Sequence, residues 1–146
     1  MKKYEYTYQN NCFNAKLSSL LDKKRTIMDI DCLLFKLGCE TKILFDHKKS
    51  TDRTTITSLR GYSMLASSNF YCYIVVNDLN EDGNILNNKT KVYEIKPIKE
   101  VENQNEKSNY IKDYFLLCND EEVRDFFKVE NHIYFKRKIK EQNSLF

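Results

Sequence analysis

Apolar residues recur at helical spacing over residues 13–25 (FNAKLSSLLDKKR), where Phe13, Leu17, Leu20 and Leu21 fall on one face. Two short apolar runs follow, 27–35 (IMDIDCLLF) and 42–48 (KILFDHK). The segment between them contains Gly38 and suits a hairpin turn. A Ser/Thr/Asp cluster at 50–55 then opens a second helix over about 53–67. Ile56, Leu59, Tyr62 and Leu65 or Ala66 form its inner stripe, with Asp52 or Ser50 as the cap. The run 70–77 (FYCYIVVN) is dense in β-branched and aromatic residues and reads as a buried strand. A loop follows over 78–90, centred on Asp82-Gly83, and leads to a strand over 91–98. Residues 99–109 read as a mobile polar connector, 110–118 as helix or strand, 120–129 as a short helix and 132–140 as a terminal strand.

This order predicts a mixed α/β domain with one crossover, from the strand ending near Lys48 through helix 53–67 to strand 70–77. The 146 residues suffice for a single domain over 1–146, with a core over about 13–98 and a C-terminal extension over 110–146. Composition agrees, at 41% hydrophobic and 31% charged. No run approaches the roughly eighteen apolar residues of a membrane span, so no membrane partner is expected. The N-terminal lysines have no apolar segment behind them, which argues against a secretory signal. Cys12, Cys32, Cys39, Cys72 and Cys118 are odd in number and contain no C-x-x-C pair. That spacing favours reduced thiols and a cytoplasmic location over a disulfide or zinc framework. Charge is uneven: residues 1–60 hold twelve Lys/Arg against seven Asp/Glu, although the whole chain is only +3. A basic N-terminal half favours a polyanionic partner.

The segment that carries chemistry is IMDIDCLLFKLGCETKILFDHKKS. Strand alternation puts Asp29 and Asp31 on one face, and likewise Leu44, Asp46 and Lys48. Cys32, Leu34, Ile43 and Phe45 then face the other way. If the two runs pair as a hairpin, two carboxylates and an ammonium converge. Such a pair suits Mg²⁺ or Mn²⁺, held through carboxylates and water, with the His47 carbonyl pointing at the same ion. A lysine beside that ion can orient the attacking water and offset transition-state charge. The His47 ring faces away and is expected in the core or an interface.

The pattern resembles the PD-(D/E)XK nuclease superfamily: a helix, an Asp-bearing strand, a strand ending in Asp-x-Lys, a helix and a strand. Asp31 matches the first metal-binding aspartate, and Asp46-His47-Lys48 the D-x-K element. DHKKS resembles the D-Y-K-T-S/G string of RecB-like nucleases, and TSLRGYSML resembles their Q-L-x-x-Y-x-x-L helix through Leu59, Tyr62 and Leu65. Ser58 stands where that helix carries Gln, so its nucleic-acid contact passes to Thr57, Arg60 or Lys49. The resemblance covers residues 13–77. It implies a restriction-endonuclease-like mixed sheet flanked by helices and a metal-dependent nuclease hydrolysing DNA by in-line attack of water. Asp31, Asp46 and Lys48 would be catalytic, with Asp31, Asp46 and His47 at the metal. Asp29 and Asp22 would support them. Lys49, Ser58, Arg60, Tyr62, Lys24 and Arg25 would face nucleic acid. A homodimer or a partner protein is an expectation by analogy alone.

Three rival readings are weaker. Glu94-Ile95-Lys96 repeats the E-x-K pattern with Asp78 upstream, but Pro97 follows and a solvated edge strand explains it more simply. His132 reads as structural. No nucleotide-binding glycine motif is present. The competing function is a nuclease-fold module without activity, which binds nucleic acid or assists or inhibits a partner.

Overall fold

A computed structural model describes residues 13, 15–17, 19–21, 28 and 30–144. Residues 13, 15–17 and 19–20 are helical, in agreement with the first apolar stripe. Five strands follow: β1 (Cys32–Phe35), β2 (Lys42–Lys48), β3 (Tyr71–Val76), β4 (Thr90–Ile95) and β5 (Ile111–Leu117). They form one sheet in sequence order. β1 and β2 are the antiparallel hairpin, turning through Gly38 at φ +85. β2 and β3 are parallel, joined by helix α1 (Ile56–Ala66), and β4 and β5 continue antiparallel. Helices α2 (Asp120–Phe126) and α3 (His132–Ser144) complete the chain. The result is a mixed five-stranded sheet flanked by helices. Among the described residues, no helix is long and apolar enough to cross a membrane.

Both faces of the central strands are covered, which explains why YCYIVV is apolar throughout instead of alternating. On one face Ile43, Tyr73, Val75, Val92 and Phe115 pack against Phe126, Val129 and Ile139 from the C-terminal helices. On the other, Leu44, Cys72, Ile74 and Ile95 pack against Leu59 and Tyr62 of α1, with Val101 and Tyr110 beside them. The C-terminal helices are therefore one of the two layers that cover the sheet.

Several elements depart from the sequence expectation. α1 is capped by Thr55, whose hydroxyl accepts the Ser58 N–H at 3.2 Å, and neither Asp52 nor Ser50 does this. Asp52 instead accepts the Lys49 N–H at 3.0 Å and closes the preceding turn. The 99–109 connector packs against the rest of the chain: it forms short 3₁₀ turns, buries Val101, and receives the Tyr110 hydroxyl on the Gln104 carbonyl. Residues 132–140 are helical. His132 and Ile139 are buried and Phe135 and Lys136 half-buried, the spacing of one helix face and not of a strand. β4 is internal, and Glu94 is buried against Lys136 of α3 at 3.1 Å, so it is not a solvated edge residue. The ion pair neutralises a charge that burial would otherwise make costly.

His132 ties the C-terminal layer to the sheet. Its Nδ1 donates to the Phe126 carbonyl at 2.5 Å, and its Nε2 accepts the Tyr73 hydroxyl at 2.6 Å. Accepting from Tyr73 requires the neutral ring, while the Nδ1 bond to Phe126 is open to either form and, alone, would favour the charged one. Burial lowers the His132 pKa from its usual 6.5 to about 4. Between those values the unfolded chain binds the extra proton, so the contribution of His132 is complete above pH 6.5 and disappears as pH falls to about 4. Its full size is about 3 kcal/mol. In urea unfolding, the stability gap between wild type and His132→Gln is expected to narrow by about that amount from pH 7 to pH 4. A gap that stays constant would rule out this titration.

Candidate metal and phosphodiester site

The β1–β2 register pairs Cys32 with Phe45 and Phe35 with Lys42. Continued by one residue, the same register sets Asp31 directly opposite Asp46. Asp31 lies just before β1, and its Oδ2 accepts the His47 N–H at 3.2 Å. Its side chain thus takes over from the backbone ladder where β1 begins. Asp46 shares the α1 face with Leu44 and Lys48 by strand alternation. It is only 6% exposed, whereas Asp31 is exposed.

Burial is the largest influence on Asp46 and raises its pKa to about 6. The hydrogen bond and charge of Asp31 push the same way, and Lys48 opposes them. Lys48 Nζ lies 3.4 Å from Asp46 Oδ2. Among the described residues, two carboxyls that share a hydrogen bond in a half-dry setting have one ammonium beside them and are under-neutralised. Tyr62 forms the floor below them. It is 1% exposed, and burial, then the Asp46 charge, holds its phenol well above the usual range. Met28 fixes the segment entering β1: its thioether occupies the space a side chain at Gly61 would need, with Sδ 2.0 Å from where that Cβ would be. The missing Cβ lets the Met28 side chain lie close against α1.

The donor set suits a hard cation that keeps much of its water. Asp31 and Asp46 supply carboxylates from facing strands. The Lys48 carbonyl accepts the Asn77 N–H from the β3 side. Carbonyls alternate along a strand, so the His47 carbonyl points the other way, towards Asp31. Among the described residues, no group of three or more His, Cys, Asp or Glu side chains is assembled to hold a metal ion. The protein's share would be two carboxylates and one carbonyl.

The remaining predicted site residues divide. The His47 ring is exposed on the opposite face, neither in the core nor at the acid pair, and its Nε2 lies 2.6 Å from Asn77 Oδ1. Lys49 is exposed at the turn beyond β2. Ser58 has its hydroxyl taken by Thr55 at 3.0 Å. Arg60 donates through Nη2 to the Gln104 carbonyl and to Asn105 Oδ1, at 3.2 and 2.9 Å, and so braces the connector instead of extending into solvent. Tyr62 is too deeply buried to present a face to a nucleic-acid strand. Asp22, Lys24, Arg25 and Asp29 lie outside the described residues.

Sequence reasoning passed over Asn77. Its backbone N–H holds the Lys48 carbonyl at 3.2 Å, and its side-chain Nδ2 donates to the buried Thr90 hydroxyl at 3.1 Å. An asparagine closing an apolar strand was the available signal, but only the parallel register brings it beside Lys48. The chain matches no family model, no curated protein and no solved structure.

Like-charge crowding at a buried acid costs stability that function can require. Asp46→Asn keeps the shape and removes the charge. At pH 8 in chelator it is expected to raise unfolding stability by about 1 kcal/mol, as read from denaturant midpoints. A loss of stability would show that the Lys48 pairing outweighs the Asp31 repulsion.

Proposed function

We propose that this protein is a metal-dependent nuclease that hydrolyses phosphodiester bonds in DNA, with a restriction-endonuclease-like arrangement of its sheet and Mg²⁺ or Mn²⁺ as the ion. The observation that supports this most is the facing of Asp31 and Asp46 across the mouth of the β1–β2 hairpin, with Lys48 Nζ 3.4 Å from Asp46 on the same face. The resemblance of residues 13–77 to RecB-like nucleases adds to it, as does the basic N-terminal half. A cytoplasmic setting accords with the cysteine pattern.

In this reading Asp31 and Asp46 hold the ion, and the His47 carbonyl completes the protein's contribution. A divalent ion there supplies charge that polarises the phosphoryl group and makes water a better nucleophile. Lys48 needs no such help to act. Its ammonium, anchored by Asp46, can donate to a non-bridging phosphate oxygen or hold the attacking water in line. The His47 amide fixes the Asp31 carboxylate, so its orientation precedes ligand binding. Buried Leu44, Ile74 and Tyr62 keep the floor dry, which strengthens every charge interaction above it.

A second reading, a nuclease-fold module that binds nucleic acid without cutting it, draws support from the two-carboxylate donor set and from the internal engagement of Ser58 and Arg60. Incubation of duplex, single-stranded and branched DNA with Mg²⁺ or Mn²⁺ separates the two. Lys48→Ala and Asp46→Asn are each expected to lower cleavage at least about a hundredfold. Asp46→Asn is also expected to weaken Mn²⁺ binding in calorimetry. Cleavage that persists in both variants would remove Asp46 and Lys48 as the site of a nuclease; binding with no cleavage in any metal would leave the module.

A further inference from the structure

Two cavities open on the α1 face of the sheet, beside Asp46 and Lys48. Strand pairing carries one row from Asp46 through Ile74 and Tyr93 to Tyr114, and the next from Lys48 through Val76 to Lys91. The first cavity, about 240 Å³, has Ile74 and Val76 as its floor, Leu59, Tyr93 and Ile111 as walls, and Lys107 at its rim. The second, about 320 Å³, shares Val76 and Tyr93 with the first and carries Lys89 and Lys91. The two are therefore contiguous, one apolar and one polar and charged. Asp52 and Asp78 also line the second, each accepting one backbone N–H, from Lys49 and Ser50 respectively, so its lining carries two carboxylates beside the two ammoniums. Among the described residues, no carboxylate pairs with Lys89, Lys91 or Lys107.

We propose that these adjoining cavities receive an unpaired nucleotide, its base in the apolar cavity against the Tyr93 ring and its phosphate towards Lys89 and Lys91. The ligand is single-stranded nucleic acid. The inference rests on the nuclease reading for what happens to the strand afterwards, but the binding itself needs no cleavage. An apolar hollow with an aromatic wall and a cationic rim matches a base with its phosphate. A base inside a duplex has both faces covered by its neighbours and cannot enter such a hollow. Tyr114 is 43% exposed, with its ring 5.1 Å from that of Tyr93, and extends the stacking surface to a neighbouring base. The row from Tyr93 back to Asp46 then sets the backbone of the bound strand beside Asp31, Asp46 and Lys48.

Fluorescence anisotropy in chelator, with labelled oligothymidine and a duplex of equal length, tests this on the full chain. Wild type is expected to bind the single strand at least about tenfold more tightly. Tyr93→Leu, which keeps apolar volume and removes the ring, should weaken single-strand binding by about five- to a hundredfold and leave duplex binding unchanged. Tyr93→Phe should restore it. Tyr114→Ala, at an exposed position, should weaken it less, and Lys91→Glu should flatten the salt dependence. Equal affinity for duplex and single strand, or a folded Tyr93→Leu protein that binds like wild type, would overturn the proposal. Ring-dependent single-strand binding without cleavage in any metal keeps this site and removes the nuclease reading. Cleavage indifferent to Tyr93 and to strandedness does the reverse.

Discussion

Parallel pairing of β2 with β3 demands a crossover, and the crossover must cover the sheet face it crosses. Six successive residue pairs, from Ile43 with Tyr71 to Lys48 with Val76, fix that register. Because the two strands run the same way, their C-terminal ends finish together. Lys48, Asn77 and the turn into α1 meet there, and the Asn77 N–H locks the Lys48 carbonyl. α1 then seats Leu59 and Tyr62 over Leu44 and Ile74. A slip of one residue would turn Asp46 to the helix-layer face and Phe45 towards the site. The dense packing on both faces makes that slip prohibitive.

Within this frame the acid pair is an electrostatic tension the fold tolerates. Elsewhere in the sheet, two buried or half-buried carboxylates are answered by lysines: Glu94 by Lys136 and Asp113 by Lys140. Those are one-to-one pairs between sheet and helix and serve structure. At the mouth of the hairpin, two carboxylates face one ammonium among the described residues. Asp46 with its raised pKa belongs to the type of group that functional sites collect.

Much of this was legible in the sequence wherever a local rule and the tertiary context agreed. The β2 bounds, the Gly38 turn, the α1 stripe and the β3 strand all follow from periodicity and turn chemistry. What sequence could not supply was contact across the sheet. HIYFKRKIK fits either a strand or a helix, because Phe135 and Ile139 satisfy both periods; the buried His132 decides it through Tyr73, fifty-nine residues away. The α1 cap went to Thr55 because Asp52 was already engaged by the Lys49 amide, a competition that residue types alone do not reveal. Arg60 looked free on a helical wheel, but the connector folds back over it. The acid pair itself was foreseeable from alternation and hairpin pairing. The cavities beside it were not, since their walls come from five separate segments.

The bond from the His47 amide to the Asp31 carboxylate has a spectroscopic consequence. An amide hydrogen in a ladder exchanges with solvent when the strands part. This one is held by a side chain that a cation would also claim. Its exchange rate and chemical shift therefore report the state of Asp31 as well as the fraying of β1, whose backbone partners start one residue later. A single resonance at position 47 is a built-in reporter of the Asp31 carboxylate.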